Sequence, residues 1–121
     1  MDHLQSVRAN LFVTLGFSKW HCSVNNLYYL FLPEQHEHDD EGIAEGLTNA
    51  TLYRLWVYKT DNHNILQEYR DNDAYILFEK GNSLFLRVDG MEFRIDEHLD
   101  LTDTLTLEDP VKGKVTFTRS D

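Results

Sequence analysis

The sequence predicts a mostly β domain: an antiparallel up-and-down barrel or strongly curved sheet of about eight or nine strands behind a short N-terminal helix. The alternative is an α+β fold, an open sheet wrapped on that helix. Three observations carry the reading. Leu4, Val7, Leu11 and Leu15 recur at helical spacing. Beyond Gly16 the apolar period changes from helical to two. Gly81-Asn82 and Asp89-Gly90 stand between alternating runs, as two-residue hairpin turns require.

The helix covers residues 2–15, "DHLQSVRANLFVTL". Asp2 can cap it, Gln5 holds the capping-box position, and Gly16 offers the left-handed residue that often ends a helix. The rival is a strand over 10–17, because "LFVTLGF" is β-prone. "SKWHCSV" and "LYYLFLP" flank a turn at Asn25-Asn26, and Pro33 is expected to end the second of these strands. Residues 34–50 are polar, carry Gly42 and Gly46, and read as a loop with at most one helical turn. "TLYRLWVYKT" is a long strand, "DNHN" turns it, and "ILQEYR" returns. "AYILFEK", "SLFLRV" and "MEFRID" follow, and "DTLTLED" and "KVTFTRS", joined through Pro110 and Gly113, complete the meander.

If both two-residue turns are tight, the register follows. Val88 faces Met91, Leu86 faces Phe93 and Leu84 faces Ile95; on the other side Leu77 faces Leu86 and Tyr75 faces Val88. One face thus collects Tyr75, Leu77, Leu84, Leu86, Val88, Met91, Phe93 and Ile95. Burying each Leu or Phe is worth about 1.5–3 kcal/mol, so this face is core, and a one-residue slip would invert it. The opposite face pairs Arg87 with Glu92 but also groups Ile76, Phe78 and Phe85, an apolar set expected to lie under the helix, the long loop or another subunit.

The 121 residues suit one domain, able to bury a core without staples. Twenty-one acids against eleven Lys and Arg give a net charge of −10, which argues against nucleic acid and anionic membranes. No apolar run approaches the roughly 18–20 residues of a membrane span. Cys22 is the only cysteine, so no internal disulfide forms. Taken as the native start, "MDHLQSVRAN" lacks a signal-peptide core, and a cytoplasmic protein is expected, or a secreted one if an export signal has been removed.

Trp20 follows Gly16 on the first predicted strand, Arg119 lies on the last, and the chain closes on the strand pair "LTDTLTLEDPVKGKVTFTRSD". In these features residues 16–119 resemble the small lipocalin-like (calycin) β-barrel domains, although the family's Gly-x-Trp spacing is here "GFSKW". The resemblance implies a barrel whose base is closed by Arg119 over Trp20, a cation–π contact. It also implies non-enzymatic binding of a small, partly apolar ligand in the interior. Arg54 would anchor an anionic group, Trp56 and Tyr58 would line the wall, and Tyr29, Tyr53 and Phe93 complete the candidate set. On residues alone, Leu52, Arg54, Trp56 and Tyr58 fit a pocket wall, an interface or an outer face equally.

"HEHDDE" is the other chemical lead. His36 and His38 alternate and could share a metal, with Asp40, Glu41, His63 or His98 completing the shell, but the segment reads foremost as a solvated acidic loop. His21 and Cys22 are neighbours on a strand and point apart, so they form no nucleophile–base pair. "NAT" at 49–51 is a glycosylation acceptor only in a secreted eukaryotic protein. No phosphate loop, nucleophile elbow or metalloprotease motif occurs, and no cofactor is implied. The alternative function is therefore an acidic interaction, inhibitor or accessory protein. It would use the negative surface and the Ile76–Phe78–Phe85 patch, with a homodimer or a basic protein as partner. An enzyme comes third.

Overall fold

Backbone conformation at the tight turns sets the register. Asp89 (φ 48°) and Gly90 (φ 79°) both adopt the left-handed conformation that a type I′ turn requires, whereas Gly81 (φ 62°) adopts it at the first position of its own turn. The resulting pairs, Val88 with Met91, Leu86 with Phe93, Leu77 with Leu86 and Tyr75 with Val88, are those the alternation predicts.

The computed structural model describes residues 3–16, 18–36 and 47–120. Helix α1 (His3–Leu15) precedes eight strands: β1 (Lys19–Cys22), β2 (Tyr28–Gln35), β3 (Thr48–Thr60), β4 (Leu66–Lys80), β5 (Ser83–Val88), β6 (Met91–Ile95), β7 (Thr104–Asp109) and β8 (Gly113–Arg119). They form one antiparallel sheet in the order β6-β5-β4-β3-β2-β1-β8-β7, an up-and-down meander curled into a nearly closed barrel. β6 and β7, consecutive in the chain, are the two edges. No described helix is long and apolar enough to cross a membrane.

Three local expectations are corrected. "ILQEYR" and "AYILFEK" are one bent strand, β4: between Leu55↔Asp73 and Val57↔Arg70 it carries one more residue than β3. The polar "RDND" is thus a bulge, which bends a strand without ending it. Pro33 does not end β2. It falls in the irregular stretch between Phe31 and Gln35, where the missing proline N–H breaks no ladder bond. Gly16 is not left-handed; a Cβ there would sit 3.2 Å from the Phe12 carbonyl oxygen, and its own N–H donates to that oxygen at 3.0 Å.

One barrel end is closed by α1 together with β1 and β8. Leu11 and Leu15 are buried against the barrel core, with Leu4, Val7 and Phe12 packed around them. The last carbonyls of a helix lack intrahelical partners and sit at the negative end of its dipole. Here the Trp20 indole Nε1–H donates to the Leu15 carbonyl at 3.2 Å, and Arg119 Nη2 donates to the Thr14 carbonyl at 2.7 Å. The Arg119 guanidinium carbon lies 4.8 Å from the Trp20 ring centroid, and its Nη1 pairs with Asp103 at 3.0 Å.

Arg119→Ala removes a cation–π contact and a charged hydrogen bond to the helix end, and is expected to cost about 2–4 kcal/mol. Arg119→Lys keeps the charge without the planar fork and should recover part of the loss. Urea unfolding of both variants checks this; an alanine variant as stable as the parent would remove the contact from the account.

Candidate functional site

The interior is built by the inward parity of every strand. Trp20, Cys22, Tyr29, Leu55, Tyr75, Leu77, Leu84, Val88, Met91, Phe93, Leu105 and Val115 all have 0% exposure. A void large enough for even one water would leave accessible surface on its walls, so these side chains fill the barrel. The aromatic rings interlock: Phe117 meets Tyr29 edge-on at 6.0 Å and Phe93 at 5.7 Å, and Phe31 meets Tyr75 at 5.0 Å. Burial pushes the Tyr75 hydroxyl and the Cys22 thiol above their ordinary pKa.

The six residues expected to line one interior divide between the two faces. Tyr29 and Phe93 are in the filled core, and Tyr53 points inward beside it, stacked on Tyr75 at 5.2 Å with Phe12 at 4.8 Å. Arg54, Trp56 and Tyr58 take the opposite parity. Leu55 and Val57 are the β3 residues buried in the barrel core, which turns their neighbours outward, on the same side as Leu52, which is buried in a separate outer cluster. Arg54 pairs with Glu34 at 3.0 Å, in an outer cleft with Gln35, His36 and Asn72. Tyr58 stacks on Tyr28 at 5.2 Å, His21 lies 5.0 Å from Tyr28, and Trp56 meets Tyr69 edge-on at 6.3 Å. An aromatic ladder therefore runs across the outside of β1 to β4. The Trp56 Nε1–H is buried there with no hydrogen-bond partner among the described residues.

The remaining expectations are placed as follows. Trp20 and Arg119 are brought together at the closed end. Phe78 is fully buried and Ile76 is 8% exposed, in a small outer cluster with Leu52, Leu47, Ala50 and Ala74. Phe85 stacks on Phe78 at 5.4 Å, and Arg87 lies over Phe78 at 5.1 Å. That apolar patch is thus covered largely by the chain itself. His36 sits beside the Asn72 carbonyl, its Nε2 3.2 Å away, while His38, Asp40 and Glu41 lie outside the described residues. Among the described residues no three His, Cys, Asp or Glu side chains cluster as a metal site would need.

Two polar constellations were not anticipated. The first closes the other barrel end. Asn25 Nδ2 donates to the Tyr29 hydroxyl at 2.8 Å, and that hydroxyl donates to Asp89 Oδ2 at 2.6 Å. Arg70 grips both Asp89 oxygens, at 3.2 and 3.1 Å, and pairs with Asp73 at 2.8 Å. Burial alone would raise the Asp89 pKa, but the Arg70 guanidinium and the Tyr29 hydroxyl outweigh it and hold the carboxyl below its usual range. Burial, reinforced by the Asp89 carboxylate, pushes the Tyr29 hydroxyl well above the ordinary tyrosine range.

The second lies at the gap between β6 and β7. Asp109 Oδ1 accepts the Glu92 N–H at 2.8 Å across the gap, while Oδ2 accepts the N–H groups of Val111 and Lys112 at 2.9 and 2.8 Å. These backbone donors, Glu92 first, hold the Asp109 carboxyl below the ordinary aspartate range. A side chain therefore makes a bond that a ladder would otherwise supply. Outside this gap lies a cleft of about 530 Å³, lined by Phe85, Glu92, Arg94, Asp96, Leu99, Thr106, Leu107, Glu108, Asp109, Pro110 and Gly113. The only sequence signal was Asp before Pro110, an ordinary turn opening.

The chain matches no protein-family model, no characterised protein and no solved structure.

Asp89 provides a test of the Tyr29 end. Its folded pKa lies below its unfolded value of about 3.9, so its contribution to stability is complete above that pH and is lost as pH falls through the folded value. Asp89→Asn should lower the urea midpoint at pH 7, and the gap from the parent should shrink steadily below about pH 4. A gap independent of pH would assign the loss to packing rather than charge.

Proposed function

We propose that this chain is a lipocalin-like domain that has given up the ligand cavity, and that it acts as a non-enzymatic protein-interaction module through its outer surface. The eight-stranded nearly closed barrel, the N-terminal helix and Arg119 over Trp20 support the lipocalin-like reading. The observation that carries the functional reading is the filled interior, with Tyr29, Tyr75 and Phe93 at 0% exposure where a carrier would hold its ligand. A small partly apolar ligand would be left with outer clefts, and the net charge of −10 favours a basic partner.

Native mass spectrometry of the protein recovered from its own cells tests this. The expected result is a stoichiometric complex with a basic protein, lost as ionic strength rises. A monomer carrying a small organic mass that disappears on denaturation would overturn it in favour of a carrier.

A further inference from the structure

Two rings of this barrel are covered by guanidinium groups of the chain itself. Arg119 lies over Trp20 at 4.8 Å and pairs with Asp103 at 3.0 Å, and Arg87 lies over Phe78 at 5.1 Å. Trp56 and Tyr69, on the outer face of β3 and β4, have no cation over them among the described residues. The two arginines nearest them in sequence are engaged elsewhere. Arg54, two residues before Trp56 on β3, pairs with Glu34 at 3.0 Å. Arg70 stands opposite Val57, takes the inward parity with it, and is held by Asp73 and Asp89.

The β4 bulge shapes the uncovered place. Between Leu55↔Asp73 and Val57↔Arg70, the single residue Trp56 stands opposite both Asp71 and Asn72, as a bulge requires. Tyr69 lies across from Tyr58, which is stacked on Tyr28 at 5.2 Å. The Trp56 and Tyr69 rings meet edge-on, with centroids 6.3 Å apart and planes at 62°. They form a corner instead of a closed stack. Tyr69 is 49% exposed, and Leu66, three residues before it, is 54% exposed. Asp71 is exposed and makes no ion pair among the described residues.

An aromatic face attracts a cation through its quadrupole, most strongly when the ring is an indole, and a planar guanidinium also stacks on it. A free carboxylate beside the ring supplies the counter-charge. Trp56, Tyr69 and Asp71 therefore offer an incoming protein the same chemistry that Trp20 and Asp103 offer Arg119. We propose that this corner is the docking site for an arginine side chain of a basic partner protein, its guanidinium set against Tyr69 and Trp56 and paired with Asp71. The net charge of −10 draws such a partner in, and the corner fixes where it lands. This rests on the interaction-module reading and names its contact surface and the residue it recognises.

The test uses the full chain and two fluorescent peptides of equal length and charge, one alternating Gly with Arg and the other Gly with Lys. The arginine peptide should bind and shift the indole N–H resonance of Trp56 and the amide resonances of Tyr69 and Asp71. The lysine peptide should bind about fivefold more weakly, since it lacks the planar fork. Tyr69→Ala, at an exposed position, should weaken the arginine peptide about fivefold. Asp71→Asn, nearly unchanged in shape, should weaken it about threefold and keeps the test valid if the alanine variant fails to fold. Glu108→Gln removes an equal charge from the exposed face of β7 and should leave binding as in the parent. Equal affinity for the two peptides, equal losses in Asp71→Asn and Glu108→Gln, resonance shifts away from β3 and β4, or no binding of the arginine peptide would overturn the proposal. A native partner that binds Tyr69→Ala as tightly as the parent would remove this surface and leave the interaction-module reading standing; absence of any partner for either chain would remove both.

Discussion

Arg119 lies over Trp20 and donates to the carbonyl of Thr14, and at that point the first strand, the last strand and the helix meet. The contact solves two problems with one side chain. A curled meander must bring β1 and β8 together, and Trp20 pairs with Arg119 in that ladder. A helix ending at a barrel mouth must have its last carbonyls satisfied, and the indole and the guanidinium do so. With the helix end fixed, Leu11 and Leu15 are committed to the barrel interior. The large rings of Tyr29, Phe31, Tyr75, Phe93 and Phe117 occupy the rest. A barrel filled in this way is held together by the packing density of its interior.

The two barrel ends use different means. The helix end is closed by an apolar plug and a cation over an indole. The other end is closed by a polar chain from Asn25 through Tyr29 and Asp89 to Arg70. That chain joins three hairpin features: the β1–β2 turn, the left-handed Asp89 of the β5–β6 turn, and the β4 bulge that supplies Arg70. Asp89 therefore shapes a turn and links the network at once. An aspartate suits both demands, since it tolerates positive φ and accepts a forked pair of hydrogen bonds from arginine.

Much of this was legible in the sequence, for identifiable reasons. Gly81-Asn82 and Asp89-Gly90 fix strand partners within a few residues, so the pairing of β4, β5 and β6 followed from turn chemistry and alternation alone. Trp20 and Arg119 were suggested as partners by resemblance. The inward face of β3 was not legible, because Leu52 and Trp56 make the outer parity as apolar as the inner Leu55 and Val57. Alternation decides a face only when the two parities differ. The β4 bulge was hidden because Asp71 to Asp73 carry turn-like polarity within a continuous strand. The gap between β6 and β7 was hidden more deeply. It depends on one carboxylate, Asp109, standing in for a backbone acceptor, and no periodicity reports that substitution.

The barrel is filled within, and among the described residues its wall is open along one line. Amide hydrogen exchange of the free protein in solution, resolved residue by residue, tests it most directly. The account predicts slow exchange for core-facing ladder amides of β4, β5 and β8, and for Glu92, held by Asp109. It predicts fast exchange at Arg94, Thr106 and Glu108, whose N–H groups face the gap. Protection of those three amides equal to that of their neighbours would mean a closed β6–β7 ladder, and would contradict the open wall.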